Sequence, residues 1–130
     1  MNPVERVWGG ASKVYTFKYE IYKRLVDSAD PHKFTRNVDA FHAAAAIGIR
    51  LNITANTDEK DRREELLNVY TIDQNEVLWS VISALHPDAS GAERFEKLMG
   101  YADFGIERLE DEFKVFGNLQ AAVDSILSSS

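Results

Sequence analysis

The residues best suited to acid–base chemistry are Asp39 and His42, three positions apart. In a helix this spacing places both side chains on one face, where a carboxylate can orient an imidazole for proton transfer. A hydrolase that uses this pair is therefore one hypothesis. A metal site needs more ligands, and neither an H-x-x-x-H nor an H-x-x-E sequence occurs. We favour a partly buried His42 that is hydrogen-bonded to its own helix, and we predict no metal ligand.

Runs of carboxylates offer a second chemistry. Glu64 and Glu65 are adjacent, and four acidic residues lie between positions 107 and 112. Paired carboxylates can hydrolyse glycosidic bonds when they face a cleft, but the second run lies opposite Ile106, Leu109 and Phe113, which is typical of a solvated helix face. No phosphate-binding glycine loop or nucleophile elbow occurs. We therefore predict that the chain is not an enzyme, with no catalytic residue and no cofactor.

A basic and aromatic stretch near the N-terminus suggests nucleic acid. Residues 1–36 carry seven basic and four acidic side chains, a balance of +3, in a chain whose net charge is −6. Basic side chains neutralise phosphates and aromatic rings stack on bases, although the overall charge is unusual for a general nucleic-acid binder. The candidate phosphate-binding residues are Lys13, Lys18, Lys23, Arg24, Lys33 and Arg36.

Aromatic residues offer a third function, the binding of another protein, because aromatic side chains often dominate interfaces. They are found in an apolar N-terminal arm, in the basic stretch and near a pair of glycines late in the chain. The candidate partner-binding residues are Trp8, Tyr19, Tyr22, Tyr101 and Phe104.

The element that carries Asp39 and His42 is an alanine-rich segment over residues 36–51. Alanine has the highest helix propensity, and small side chains let a second helix approach closely. Thr35 or Asn37 can cap its start. Asp39 lies in the first turn, where the helix dipole favours a carboxylate. The segment predicts a buried central helix.

Residues 15–21 fit two patterns. Apolar and polar residues alternate from Tyr15 to Ile21, as in a strand, yet Phe17, Ile21 and Leu25 are four apart, as in a helix. Because the alternation fails at Tyr22, we predict a helix over 16–28, ending near Pro31. A polar loop over 52–61 follows. A short helical turn is then predicted over 62–69. Its apolar side chains are expected to point toward the core, and these are Leu66, Leu67, Val69 and Tyr70.

Two capping boxes predict the later helices. Asp73 with Glu76 starts one helix, with Ile72 and Val77 as a hydrophobic staple, and this helix stops before Pro87. Ser90 starts a longer one with Glu93 at its third position. This longer apolar pattern ends at Gly117–Asn118, and a kink or break is expected at Gly100 and Gly105. A short helix from Leu119 completes the chain.

Together these elements predict an all-α fold. We expect a compact single-domain bundle of five or six helices, with an irregular arm over 1–14, a helical domain over 15–127 and a tail over 128–130. The chain has no cysteine, signal-peptide pattern or apolar run long enough to span a bilayer. These features predict a cytoplasmic protein that does not enter membranes.

Residues 17–113 resemble small bacterial proteins associated with DNA phosphorothioation (Dnd) systems and neighbouring anti-phage gene clusters. The likeness lies in Phe34–Thr35 leading to Asp39, residues 43–48, the 79–85 helix, Phe95–Glu96, and residues 101–106. The last piece is similar to a tyrosine-alanine-asparagine-glycine-glycine pattern of that group, with Asp103 and Phe104 at two of its positions. The resemblance implies an accessory role in DNA modification or antiviral defence and supplies no catalytic residue.

The sequence therefore predicts an accessory subunit that works through protein–protein contact. The partner is expected to be another protein subunit or a second copy of the chain. The alternative is a nucleic-acid-binding protein that uses the basic, aromatic N-terminal face.

Overall fold

The computed structural model describes residues 3–26, 34–55 and 64–128, which form seven helices and a two-stranded sheet. The elements in chain order are α1 (Pro3–Val7), β1 (Lys13–Thr16), α2 (Tyr19–Val26), α3 (Asn37–Leu51), β2 (Glu64–Asn68), α4 (Val69–Ile72), α5 (Val77–Leu85), α6 (Gly91–Phe116) and α7 (Leu119–Ser128). The predicted helical character is confirmed, but the fold is not strictly all-α.

The centre of the fold is the packing of α3 against α6. Ala40, Ala44 and Ala45 of α3 are fully buried. A Cβ added at Gly105 would overlap the backbone of Ala44, and one added at Gly48 would overlap the backbone of Tyr101. Because both glycines lie where the backbones meet, the two helices approach more closely than larger residues allow. The alanine-rich segment is thus the buried central helix that its sequence predicts.

The expected break in the long helix is wrong. α6 runs without interruption for 26 residues from Gly91 to Phe116. Gly100 and Gly105 each destabilise a helix by about 1 kcal/mol relative to alanine. Both remain helical because packing outweighs this cost. At Gly105 the absent side chain is what lets α3 fit. The predicted end of the helix is confirmed, since Gly117 takes the left-handed conformation at the C-cap.

The small sheet corrects two helix predictions. β1 pairs antiparallel with β2, with Val14 opposite Leu67 and a register shift after Val14. β1 contains only the first two residues of the stretch that alternates from Tyr15 to Ile21, and it buries Val14 and Thr16 while Tyr15 is exposed. The helix predicted over 16–28 begins only at Tyr19. The helical turn predicted over 62–69 is a strand over 64–68, followed by α4. Leu66 and Val69 are buried as predicted, whereas half of Tyr70 is exposed.

The N-terminal segment is ordered rather than irregular. Pro3–Val7 is helical, a turn follows at Gly9–Gly10, and β1 begins at Lys13. The Trp8 ring is fully buried and makes edge contacts with Trp79 and Phe95, at centroid distances of 5.5 and 6.0 Å. The segment is therefore part of the core, because a large aromatic ring and Val4 both pack into it.

The two predicted capping boxes have different outcomes. Ser90 and Glu93 form the box at the start of α6, with reciprocal bonds of 3.1 and 3.0 Å. At α5 the box and staple are wrong, because Glu76 takes a left-handed conformation and Val77 is mostly exposed. At α3, Arg36 is the N-cap residue and no side chain caps the helix.

Several predictions fall on residues outside the described ranges. These are Lys33, the helix end near Pro31, positions 56–61 of the polar loop and the last two residues of the tail. Among the helices that the structure describes, none is both long enough and apolar enough to cross a bilayer.

Candidate protein-interaction site

The solvent-facing side of α5 carries no charged residue. Val77 is 62% exposed, Val81 37% and Leu85 43%. These residues follow one another at the four-residue spacing that lines one side of a helix. The complete set, called here the α5 outer face, is Val77, Ser80, Val81, Ala84 and Leu85. Surface helices usually carry charged or polar residues on this side, so the α5 outer face has the composition of a contact surface.

The opposite side of α5 is held firmly by the body. Ile82 is fully buried, and Leu78 and Trp79 are partly buried against the core. The guanidinium of Arg94 lies 4.7 Å from the Trp79 ring centroid and donates to the carbonyls of the turn that ends α5. The α5 outer face is therefore presented on a supported helix.

Asp73 ties the start of α5 to the N-terminal segment. Its Oδ1 accepts from the Leu78 N–H at 2.8 Å, and its Oδ2 accepts from the Trp79 N–H at 3.2 Å and from Trp8 Nε1 at 3.1 Å. Burial raises the pKa of this carboxyl, and these hydrogen bonds oppose that rise. Asp73 thus accepts from the second and third residues of α5, but it is not the N-cap residue that the sequence predicts, because Glu76 takes that position.

An open cleft of about 550 Å³ adjoins the start of the α5 outer face. His42 lies in it, and its Nε2 is 2.7 Å from the carbonyl oxygen of Ile72 on α4, so the predicted hydrogen bond to its own helix is wrong. The lining residues are Arg36, Val38, Asp39, His42, Thr71, Ile72, Asp73, Gln74, Asn75, Val77 and Leu78. Val77 and Leu78 belong to both α5 and the cleft, which makes the two surfaces continuous.

The proposed Asp39–His42 acid–base pair has a different arrangement from the one that the hypothesis requires. The Asp39 carboxylate accepts from the Arg36 guanidinium at 3.1 and 3.2 Å and from Thr35 at 3.3 Å. The Arg36 hydrogen bond is the main cause that lowers the pKa of Asp39. The carboxylate is therefore directed at a cation rather than at the imidazole. In the part of the chain that the structure describes, no three His, Asp or Glu side chains are grouped to hold a metal ion.

The structure places the predicted aromatic contacts at different depths. Trp8, Tyr22 and Tyr101 are almost completely buried, whereas Tyr19 and Phe104 are partly exposed. The first three fill the core as large rings do in any domain of this size. Only Tyr19 and Phe104 could touch a partner without a change in the fold, and for these two the role stays a prediction.

Tyr101 shows why a buried aromatic residue can look like a surface anchor in a sequence. Its hydroxyl donates to Asn52 Oδ1 at 3.1 Å and lies 2.8 Å from His86 Nε2. The ring is buried while the hydroxyl joins the ends of α3 and α5. A tyrosine with this arrangement stabilises the fold and has no need of a partner.

Most of the predicted phosphate-binding residues face carboxylates. Arg24 donates two hydrogen bonds to Glu110, with Nε–Oε2 and Nη2–Oε1 distances of 2.7 and 2.8 Å. Lys114 approaches the same carboxylate at 3.5 Å. These contacts, led by the Arg24 hydrogen bond, lower the pKa of Glu110. The positive charge of Arg24 is thus locally compensated.

Three further members of the basic set also lie beside carboxylates. Lys18 Nζ lies 2.9 Å from Glu107, Lys13 Nζ lies 3.7 Å from Glu65, and Arg36 is bound to Asp39. Lys23 is exposed, and Lys33 is outside the described residues.

A second open cleft, of about 370 Å³, brings Lys23 and Arg36 together. Its lining residues are Tyr19, Lys23, Val26, Thr35, Arg36 and Asn37.

No protein-family model, curated protein sequence or solved structure matches this chain. The resemblance to proteins associated with DNA phosphorothioation therefore stays a prediction that depends on the sequence motifs alone.

Sequence reasoning predicted a helix that ends before Pro87, but it placed the start at Asp73 instead of Val77 and did not identify the outer face as a site. A signal was present, since residues 77–85 contain no charged side chain and have apolar residues all around the helix. Such a helix is expected to be buried on every side. Within the residues that the structure describes, the side formed by Val77, Val81 and Leu85 is exposed.

Proposed function

We propose that this protein is a non-catalytic subunit that binds another protein chain through the α5 outer face. The observation that carries the proposal is the stripe formed by Val77, Val81 and Leu85 on a supported helix. Single exposed apolar residues are common on protein surfaces and need no explanation. Aliphatic residues arranged in register, with no charge among them, instead characterise surfaces that a partner covers.

The arrangement of side chains on the α5 outer face suits packing against a second helix. Aliphatic side chains at i, i+4 and i+8 form a ridge that fits the groove of a facing helix. Ser80 and Ala84 flank this ridge and are small enough to let a second backbone approach. The adjoining cleft supplies amide and hydroxyl groups from Gln74, Asn75 and Thr71 for the polar edge of such a contact.

A photocrosslinking experiment in the cells that naturally produce the protein tests this function. A photoreactive benzoylphenylalanine replaces Val81 in one variant and Val115 in the control variant. Val115 is 75% exposed on α6 and lies outside the α5 outer face. We expect a covalent adduct from position 81 and none from position 115, and we expect the additional substitution Leu85→Glu to abolish the adduct. Equal adducts at both positions, or none at position 81, would contradict the proposal.

We further propose that the partner acts in a cytoplasmic DNA-modification or antiviral defence system. The support is the sequence resemblance described above, which covers residues 17–113. The mass of the adduct at position 81, followed by peptide sequencing, identifies the crosslinked chain. A partner encoded beside DNA-modification or defence genes is the expected result. A partner from unrelated metabolism would remove this part of the proposal and leave the protein-binding function intact.

Nucleic-acid binding is a second candidate function. The observation in its favour is the cleft that brings Tyr19, Lys23 and Arg36 together, because a ring and two cations are the groups that contact bases and phosphates. The expected affinity is modest, since Asp39 compensates Arg36.

A binding titration with labelled single-stranded and duplex DNA at low salt tests this candidate. The variants are Lys23→Gln in the cleft and Lys97→Gln as an exposed lysine elsewhere. Binding that weakens with salt and with Lys23→Gln alone supports the candidate. Absence of a complex at low salt, or equal losses in the two variants, excludes it.

A further inference from the structure

We propose that His86 is a pH-sensitive latch at the C-terminal end of α5. Its neutral imidazole joins that end to Tyr101 of α6 and, through Tyr101, to Asn52 at the end of α3, and its protonation weakens the joint. His86 is the C-cap residue of α5 and is partly buried. The inference does not depend on the proposed function, because it concerns how α5 is attached and not what its outer face binds.

Three side chains form the joint. His86 Nε2 lies 2.8 Å from the Tyr101 hydroxyl, and that hydroxyl donates to Asn52 Oδ1 at 3.1 Å. Asn52 is the C-cap residue of α3, and Tyr101 lies on α6. The joint therefore connects the ends of two helices through a third helix.

The single proton of the Tyr101 hydroxyl determines how the imidazole is protonated. Because the hydroxyl donates that proton to Asn52, it can only accept at its contact with His86. The neutral imidazole therefore carries its proton on Nε2, and a second proton enters at Nδ1. Protonation thus adds a positive charge to the imidazole without adding a hydrogen bond to the joint.

The C-terminal end of α5 already has a cation. Arg94 donates from Nε to the carbonyl oxygen of His86 at 3.0 Å and from Nη2 to that of Pro87 at 2.8 Å. A protonated histidine at the end of a helix is usually stabilised by the unpaired carbonyl groups and the helix dipole. Because the guanidinium of Arg94 occupies that position, an imidazolium at residue 86 meets a like charge.

Charged groups near His86 belong to α6 and to the turn that follows α5. α6 contributes the cations Arg94 and Lys97, and the turn contains Asp88. Glu93, in the first turn of α6, accepts from the backbone N–H of the N-cap residue and has Lys97 nearby. The imidazole therefore lies among two cations and two carboxylates, and the balance between them decides the effect of protonation.

The cations outweigh the carboxylates at the imidazole. Burial is the main cause that lowers the pKa of His86, and the charges of Lys97 and Arg94 lower it further. The other two members of the joint bring no charge, since Asn52 cannot ionise and burial raises the pKa of Tyr101. The surroundings of His86 thus favour the neutral imidazole.

The direction of this shift sets the pH range of the latch. A histidine whose pKa is lowered by folding binds its proton more weakly in the folded chain than in the unfolded chain. Above the ordinary histidine pKa of about 6.5, both states are neutral and the joint is intact. As the pH falls below that value, the opened chain takes up the proton first, so the free energy that holds the joint decreases.

An NMR titration tests the electrostatic part of the inference. The His86 signal is the imidazole resonance that is missing from His86→Gln. Its pKa should lie below about 6.5 and should rise in Lys97→Gln, because one of the two cations is removed. Lys23→Gln, at an exposed lysine of α2, is the matched control and should leave the pKa unchanged. A His86 pKa at or above the ordinary value, or equal values in Lys97→Gln and the wild type, overturns the inference.

Hydrogen exchange tests the latch itself. The readout is the protection of the backbone N–H of residue 86, which donates to the Ile82 carbonyl at 2.9 Å in the last turn of α5. After correction for the intrinsic exchange rate, the wild type should lose about three- to tenfold of this protection between about pH 7.5 and pH 5, as expected for one modest hydrogen bond. Tyr101→Phe removes the hydroxyl and keeps the ring, so its protection should be low at both pH values.

His86→Gln is the variant that isolates the proton. Glutamine does not titrate in this range and still carries a side-chain N–H donor, so its protection should be the same at both pH values. The same loss in His86→Gln as in the wild type would assign the pH dependence to another group, such as Asp73 at the opposite end of α5, and would overturn the inference. Wild-type protection in Tyr101→Phe at either pH would also overturn it. Circular dichroism establishes that both variants fold.

Discussion

α3 carries two charged residues and α5 carries none, yet the two helices lie in different surroundings. Six of the fifteen residues of α3 are alanine or glycine, and the helix packs against α6 with Ala40, Ala44 and Ala45 fully buried. α5 carries larger aliphatic residues, and of these only Ile82 is fully buried. Hydrophobicity alone therefore does not determine which surface is covered. Small residues at Ala44 and Gly48 permit a close backbone approach between α3 and α6, whereas α5 is held by a few large groups on one side.

Among the side-chain truncations, the largest expected effect concerns the Trp8 ring, which holds α5 to the body. Trp8→Ala removes a fully buried ring that contacts Trp79 and donates a hydrogen bond to Asp73. We expect a loss of about 3–5 kcal/mol in the free energy of unfolding, as is usual for truncation of a buried tryptophan. Urea denaturation followed by circular dichroism measures this loss.

Tyr70→Ala is the control for Trp8→Ala, because Tyr70 is a large aromatic residue that is half exposed. Its expected cost is below about 1 kcal/mol. Similar costs for the two substitutions would show that the N-terminal segment does not support α5.

The next prediction concerns the α3–α6 contact. Gly105→Ala places a methyl group on the carbonyl of Ala44, so the helices must separate, at a cost of about 3 kcal/mol. Gly100→Ala introduces the same methyl group in the same helix but meets the side chain of the exposed Thr54. Its cost should stay within about 1 kcal/mol, because alanine also favours the helix. Equal costs measured by thermal denaturation would contradict the close-approach interpretation.

The contrast between α3 and α5 also explains which parts of the fold could be predicted. The bounds of α3 and the capping box of α6 follow from local sequence, since propensity and capping act within one turn. The uninterrupted course of α6 could not be predicted, because the partner that needs Gly105 is Ala44, far away in the chain. Helix propensity alone predicts that this glycine destabilises the helix.

The sheet and the candidate site were missed for similar physical reasons. β1 is stabilised by β2, which begins almost 50 residues later, so its pairing has no local signal in the sequence. The α5 outer face was missed because a pattern of apolar residues all around a helix does not show which side lacks a covering element. Burial of Trp8 and Tyr101 likewise depends on residues distant in the sequence.

The pH dependence of stability offers a comparison between a carboxyl on α6 and the one that precedes α5. Hydrogen bonding to Arg24 lowers the pKa of Glu110, so the ionised form stabilises the fold. This contribution is complete above the ordinary glutamate pKa and is lost as the pH falls through the lowered value. Burial raises the pKa of Asp73. Its contribution is therefore most favourable below the ordinary aspartate pKa and is lost as the pH rises through the raised value.

Urea denaturation between about pH 3 and pH 7 distinguishes these two contributions. The destabilisation caused by Glu110→Gln should shrink as the pH falls, whereas that caused by Asp73→Asn should shrink as the pH rises. Asp88→Asn, at an exposed carboxyl, serves as the control. Parallel pH profiles for the two test variants would show that the environments of Glu110 and Asp73 do not differ in the way the structure indicates.

The smallest expected effect is the most direct test of the difference between α3 and α5. Val81→Lys should change the unfolding free energy of the monomer by no more than about 0.5 kcal/mol. Lysine has a higher helix propensity than valine, and its stem can lie along the apolar surface while its ammonium stays in water. The same lysine at the fully buried Ala45 of α3 should prevent folding, because its charge would have no route to solvent. Calorimetry on dilute, monomeric protein measures both. A large loss from Val81→Lys under those conditions would mean that the α5 outer face supports the fold of the single chain and is not kept for a partner.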